Sequence, residues 1–558
     1  MTARTPLPWR AGAALTPRSA TVWTWGALLV AALMVLPLLS LAWTAATGSA
    51  ELWAHLFAHV LLPATQSTLL LLGGVGLLAC LIGTACAWLI ATYNFPARGL
   101  LQWALLLPLA VPTYIIAYAY LDLLHPLGPF QSGLRWALGY DSPRQFRLPD
   151  FRHLGTCILL LSLVLYPYVY LSVRAMLVTQ AASLIEAARS LGSGSLDVFF
   201  RVILPLLRPA LAVGVALVLL ECLNDIGASE FLGVKTLTVT IYNTWVTRSD
   251  LPGAAQIALA VLTVVFLVLS LEAFGRRQRR YAAGQRAQAP SRIDLRGWRA
   301  GLACLCCVLP IVFGFVLPLL YLLTVSARRW RAEGLSPQLL ESAANTLILG
   351  LTVTALTVLL GLVVTYALRL GQLRRRPLLA QIAQRVGSLG YALPGTVLAI
   401  ALLVPMAAMD EFVGRTWLLG GLAGLVLACS LRFLTIASGN LDAGFARVPQ
   451  NLDQAARSLG AGPGGTLMRI HLPLLRPALA AAAMLILIDT MKELPASLLL
   501  RPLGFETLAT WLYADASRGS YEEGALAALM IVLIGIPGIV ILAKLGLRSA
   551  VRSGGVSP

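Results

Sequence analysis

Six carboxylates stand where apolar sequence should exclude them: Asp122, Glu221, Asp225 and Glu230, then Asp489 and Glu493. Ionisable groups inside apolar spans are costly, so such positions are candidates for a translocation path. Carboxylate oxygen suits hard, multivalent cations, so a cation could move along such a lining, with transient contact at Asp225 and Glu493. Tyrosines at 114, 118, 120, 166, 168 and 170 could add phenolate oxygen, although tyrosine also belongs to membrane interfaces. The same acids have a plainer reading as solvated span ends, or as partners of Lys492, Arg248 and Arg501.

Other chemistries find less support. His55 and His59 have helical spacing for a metal but no third ligand nearby, and the remaining histidines, His125, His153 and His471, are scattered. A convergent catalytic constellation is therefore not visible. A phosphate-binding loop needs Gly-Lys followed by Ser or Thr, yet the three lysines, Lys235, Lys492 and Lys544, follow Val234, Met491 and Ala543. The chain cannot hydrolyse ATP through such a loop. Its eight cysteines lie in apolar stretches without zinc or disulfide spacing.

The surrounding composition explains where these acids must sit. Of 558 residues, 58% are hydrophobic and only 12% charged, against roughly 25% charged in a soluble chain. Mean hydropathy is +0.81. A bilayer core needs about 20 apolar residues per helix. That length gives about twelve spans, near 22–46, 64–93, 98–124, 154–176, 205–226 and 253–274, then 300–326, 344–370, 378–408, 416–438, 473–491 and 524–546. The fold class expected is an all-α polytopic membrane protein. Residues 275–299, with Arg276, Arg277, Arg279 and Arg280, read as a basic cytoplasmic linker between a first half, 1–274, and a second, 300–558.

The net charge of +18 would suggest nucleic acid in a soluble protein, but here it bears first on sidedness, and no nucleic-acid partner is expected. With both termini inside, about 28 basic residues fall on the inner side and about 13 on the outer, in keeping with the excess of Lys and Arg in cytoplasmic loops.

The halves repeat one another. Ala187-Ala188-Arg189-Ser190-Leu191-Gly192 recurs as Ala455-Ala456-Arg457-Ser458-Leu459-Gly460, and Leu204 to Ala212 recurs as Leu472 to Ala480. An offset that crosses six spans puts both copies on one face, as parallel repeats about an axis along the membrane normal. Such an axis would set Asp225 opposite Glu493. Each copy reads as a short capped helix. Ser183 to Glu186 fits a capping box and Gly192 a left-handed stop. In the second copy Asn451 to Gln454 marks the start and Gly460 the stop, and Pro205 and Pro473 mark where the following spans begin.

Glu186-Ala187-Ala188 with Gly192 and Val202-Ile203-Leu204-Pro205 resembles the coupling loop of ABC importer permeases of the binding-protein-dependent inner-membrane type. Gln454-Ala455-Ala456 with Gly460 and Ile470-His471-Leu472-Pro473 matches it again, with Gln in place of the usual Glu. The resemblance spans nearly the whole chain as two fused permease halves. It implies that Glu186, Ala187, Ala188, Gly192, Gln454, Ala455, Ala456 and Gly460 couple to a separate ATP-binding subunit in two copies, which carries ATP and Mg. It also implies a periplasmic substrate-binding protein and a bacterial inner membrane. Pro108 to Tyr120, Asp225 to Ala228 and Met491 to Ala496 resemble the ferric-iron subfamily most. Thiamine, polyamine, phosphonate and oxyanion permeases share the architecture, and an ion-coupled secondary transporter is the rival reading.

The outer segments expected to meet the binding protein are about 125–153, 227–252, 327–343 and 490–523. Gly233, Thr236 and Tyr242 correspond there to Gly504, Thr507 and Tyr513 after a small insertion.

Overall fold

The computed structural model describes residues 17–48, 57–179, 194, 197–277, 292–373, 378–387, 389–520 and 522–538. The first repeat comprises α1 (Pro17–Ala46), α2 (Leu62–Thr92), α3 (Arg98–Ala104), α4 (Thr113–Leu123), α5 (Pro129–Leu138), α6 (Leu154–Thr179), α7 (Leu204–Asn224), α8 (Gly227–Phe231), α9 (Leu237–Tyr242) and α10 (Leu251–Arg277). The second comprises α11 (Trp298–Ile311), α12 (Leu317–Glu333), α13 (Pro337–Leu373), α14 (Leu378–Gly387), α15 (Gly395–Val413), α16 (Leu422–Ala446), α17 (Gln450–Ser458), α18 (Pro463–Thr466), α19 (Leu472–Met491), α20 (Pro495–Leu500), α21 (Leu508–Arg518) and α22 (Ala525–Gly538). Among the described residues, β structure is confined to β1 (Tyr93–Asn94) paired in parallel with β2 (Ile293–Asp294).

Ten of the helical segments are long and apolar enough to cross a membrane, and a bent pair, Arg98–Ala110 with Thr113–Leu123, makes an eleventh. Their outward faces are apolar too: along α2, Leu69, Leu77 and Leu81 are exposed while Leu71, Val75 and Ala79 are buried. A helix that is hydrophobic all round belongs in lipid. The chain is an all-α polytopic membrane protein.

Two expectations about the spans need correction, both because of proline. Segments 98–124 and 378–408 are not continuous helices. The first breaks by 89° between α3 and α4. There a 3-10 turn, Leu107–Ala110, leads to extended Val111 (ψ 112°) before Pro112. In the second, Gly390–Ala392 leads to extended Leu393 (ψ 121°) before Pro394. Steric conflict with the proline ring drives the preceding residue out of the helical region, so helix restarts only after each proline. In addition, Pro205 and Pro473 do not begin their spans, which run from Val198 and Pro463. Each proline follows a widened π turn, in which the N–H of Leu204 donates to Phe199 O and that of Leu472 to Leu467 O. A wider turn accommodates a residue that lacks an N–H and whose ring displaces the carbonyl four residues back. The same device precedes Pro63 and Pro318.

The helices gather into two compact units whose borders cross the repeats. One unites described residues of Met1–Ser40 and Leu347–Thr490, the other those of Leu41–Thr346 and Met491–Pro558. In the first, Ala27, Val30 and Ala31 of α1 pack with Val364, Ala367 and Leu368 of α13 and with Leu434 of α16. In the second, α2, α6, α7 and α10 form the main contacts. Segment 491–538 therefore folds with the first repeat's helices, and α1 up to Ser40 with the second's.

Each unit contains the same close helix crossing. A Cβ on Gly83 would lie 2.8 Å from Tyr166 O and Val169 Cβ, and one on Gly361 would lie 2.6 Å from Ala437 Cβ. Glycine alone permits that approach. Most of the linker lies outside the described residues, but its end is tied down: Asn94 Nδ2 donates to Asp294 Oδ1 at 2.8 Å beside the β1–β2 bridge.

Candidate coupling loop and outer-loop cluster

The second repeated loop is built around a buried charge. Helix α17 starts at Gln450, with Pro449 as its N-cap and no side-chain cap. Asn451 therefore lies inside the helix rather than at its start. Gly460 has φ +81°, and the N–H groups of Gly460 and Ala461 donate to Arg457 O and Ala456 O, both at 2.9 Å. This is the left-handed stop expected from the sequence, and it satisfies carbonyls that the helix end leaves open.

Asp453 points inward from α17 with only 2% of its surface exposed. One carboxylate oxygen accepts Arg369 Nη2 at 2.7 Å and Nε at 3.2 Å; the other accepts His471 Nε2 at 2.8 Å. Arg369 also donates to Val448 O at 2.8 Å, and Tyr366 donates to Pro463 O at 2.6 Å. Tyr366 meets Trp23, Phe445 and His471 ring to ring. Burial pushes the Asp453 carboxyl up, but the bonds from His471 and Arg369 outweigh it and hold the group below the usual carboxylate range. Asp453 thereby clamps α17 onto α13 and the start of the α19 span.

Of the coupling residues expected here, Gln454, Ala455 and Gly460 are exposed, with Leu459 beside them, whereas Ala456 is 4% exposed. Ala456 packs inward, on the same side of α17 as Asp453. Glu186, Ala187, Ala188 and Gly192 lie outside the described residues, as does the capping box at Ser183 to Glu186.

The acids divide by partner. Asp225 follows α7 and is buried. Its Oδ1 accepts Thr113 Oγ1 at 2.6 Å and Ala228 N at 3.4 Å, and its Oδ2 accepts Ser229 N and Ser229 Oγ, both at 2.8 Å. Glu493, also buried, accepts Ala496 N at 3.0 Å. Each caps the short helix that follows it, α8 or α20, as the repeat would require. The two turns also meet: a Cβ on Gly227 would lie 2.6 Å from Tyr114 Cβ and 3.0 Å from Leu494, and Tyr114 donates to Lys492 O at 3.4 Å. Asp122 accepts from Tyr321. Glu221 and Asp489 are half-buried on α7 and α19. Glu230 accepts from Tyr513.

The loops within 227–252 and 490–523 repeat with a fidelity that the sequence only partly discloses. Gly233 and Gly504 both have positive φ, +72° and +76°. Thr236 and Thr507 are N-caps, accepting Val239 N and Thr510 N. Beyond that correspondence, the N–H of Leu237 donates to Thr68 Oγ1 at 2.9 Å and that of Leu508 to Thr346 Oγ1 at 2.8 Å. Each of these threonines in turn donates to the carbonyl four residues back. The cue available was Ser67-Thr68-Leu69-Leu70-Leu71 against Asn345-Thr346-Leu347-Ile348-Leu349. Helix α5, in the 125–153 segment, turns Gln131 and Arg135 inward and Phe130 and Trp136 outward.

A family profile described as the binding-protein-dependent transport system inner membrane component matches residues 79–280 and again residues 357–548. The chain belongs to that family. It is thus an ABC permease of the binding-protein-dependent import family, built as two fused halves. It is 27% identical, over 88% of its length and 91% of the relative's, to an Fe(3+)-transport system permease protein of Haemophilus influenzae. It is 24% identical, over 79% of its length and 80% of the relative's, to a probable ABC transporter permease protein of Sinorhizobium fredii. A sulfate transport system permease protein of Escherichia coli is 29% identical over 45% of this chain and 91% of its own. Permeases of this family are transport subunits rather than enzymes.

Proposed function

We propose that this chain is the transmembrane subunit of an ATP-driven importer of the bacterial inner membrane, and that its cargo is ferric iron delivered by a periplasmic binding protein. Both termini would face the cytoplasm. A separate ATP-binding subunit, in two copies, would carry ATP and Mg and dock one copy on each repeated loop, using Gln454, Ala455 and Gly460 in the second.

The observation that carries the cargo is coverage. The iron permease matches across both repeats, 88% of this chain, whereas sulfate, molybdenum and 2-aminoethylphosphonate permeases match 45%, 36% and 43% of it. Those partial matches keep oxyanions and phosphonates as the second reading. Asp122, Glu221, Asp225, Glu230, Asp489 and Glu493 favour a cation, because carboxylates attract a hard cation and repel an oxyanion.

The chain would work by differential contact. Inward-facing and outward-facing arrangements expose the path in turn, and ATP binding to the partner selects between them through the coupling loops. The test is uptake of radioactive ferric iron, sulfate and molybdate into proteoliposomes holding this chain, its ATPase and the cognate binding protein. Iron uptake alone is expected; sulfate or molybdate uptake without iron would overturn the cargo.

A further inference from the structure

We propose that Glu230, Tyr242 and Tyr513 form a transient oxygen-donor site for a trivalent hard cation, where the incoming ion first leaves its carrier for this chain. The proposal rests on the ferric reading and adds residues to it. Glu230 lies on α8, Tyr242 ends α9 and Tyr513 lies on α21, so both outer loops contribute. The Tyr513 hydroxyl donates to the Glu230 carboxylate, and the Tyr242 ring stands edge-on to the Tyr513 ring. Their rings are 6.1 Å apart at 82°, and Phe231 stacks on Tyr513 at 5.6 Å, which fixes its orientation. All three residues lie outside the helices long enough to span the membrane.

Charge and partners distinguish this cluster from the other acids. Asp225 already accepts four hydrogen bonds, two on each carboxylate oxygen, so a metal would have to displace existing donors. Glu230 accepts from a phenol that would itself become a ligand. When the ion binds, the two phenolic protons leave to water, and two phenolate–metal bonds form in place of the hydrogen bond from Tyr513 to Glu230. One carboxylate and two phenolates then carry three negative charges against the three positive charges of the ion. A neutral assembly suits a half-buried site better than a bare ion does. Each loaded ion releases two protons, so binding strengthens as pH rises. Arg501, paired with Glu506, is the charged neighbour and acts on Tyr242. An oxyanion finds no such complement at Glu230.

The experiment uses the full chain in nanodiscs and ferric nitrilotriacetate as probe, and follows the visible phenolate-to-iron charge-transfer absorption. The wild type should develop this band, with apparent affinity rising with pH. Tyr242→Phe, Tyr513→Phe and Glu230→Gln should each weaken binding at least about tenfold, the lower bound for losing even an outer-shell partner of a metal. Gallium(III) should give the ultraviolet difference spectrum of tyrosinate with the wild type alone, which needs no variant to fold. No band with iron, or a band of equal strength in all three variants, would overturn the site. Normal iron uptake by the Tyr242→Phe/Tyr513→Phe double variant would also overturn it while leaving iron import standing. Absence of iron uptake by the wild type would remove the ferric reading itself.

Discussion

Asp453→Ala should loosen the second repeated loop by an amount that follows from its partners. The substitution removes a carboxylate that accepts two bonds from Arg369 and one from His471, both buried. Breaking a buried pair by deleting one member costs about 3–5 kcal/mol, chiefly because the other charge is left uncompensated. Arg369 keeps the carbonyls of Val448 and Phe445, so the lower end applies. About 3 kcal/mol corresponds to a local opening equilibrium roughly a hundredfold more open. Hydrogen exchange of peptides covering 447–471, in nanodiscs, reads this directly. Amides of α17 should exchange faster by that factor while the middle of α16 stays protected.

The first repeat supplies a control. At the positions equivalent to Arg369, Asp453 and His471 the sequence has Ala91, Ile185 and Ile203. Installing those residues together should restore protection, because a buried ionic group replaced by apolar side chains of similar volume is often neutral or stabilising. Unchanged exchange in Asp453→Ala would refute the clamp. A triple variant as open as the single one would refute the apolar substitute.

Four further outcomes follow from the same geometry. Because the folded Asp453 carboxyl titrates below its ordinary value of 3.8, its stabilising contribution is complete above that value. Loop protection should therefore hold from pH 8 to 5 and fall as pH drops through the lowered folded value, as read by pH-corrected hydrogen exchange. Gly460→Val forces a β-branched residue to φ +81° at a cost of about 1–2 kcal/mol, and should weaken ATPase co-purification while the chain still inserts. Thr68→Val and Thr346→Val each leave a buried N–H without its acceptor, costing about 1–3 kcal/mol; thermal unfolding should show similar losses from the two, since the bonds are equivalent. Gly83→Val drives a Cβ into Tyr166 O and should destabilise by about 1–3 kcal/mol or more, lowering the yield of folded chain in detergent.

Periodicity and repetition made much of this architecture legible. Most of the spans, the two copies and the Gly460 stop depend on residues whose neighbours in sequence are their neighbours in space; of about twelve spans expected, the described residues hold ten, or eleven with the bent pair, and 524–546 is described only as the short helix Ala525–Gly538. The missed features depend on partners far away in the chain. Asp453 reads as a solvated first-turn acid because Arg369 is 84 residues from it and His471 18. The Thr68 and Thr346 pair is hidden because it repeats at 278 residues rather than the 268 that relates the coupling loops, the first repeat having the longer 124–153 segment. Pro112 and Pro394 sit in apolar runs that satisfy a length rule, so only the backbone reveals the breaks. Asp225 and Glu493 were legible as a repeated pair, but the cap each provides needs the short helix after it, too short to show a period.

The measurement that bears most directly on the central claim is iron uptake into proteoliposomes containing this chain, its ATPase and its binding protein, with a protonophore present and ATP supplied inside or withheld. The account predicts uptake that needs ATP and the binding protein and is untouched by the protonophore. Uptake abolished by the protonophore with ATP present would contradict it and make the chain an ion-coupled transporter.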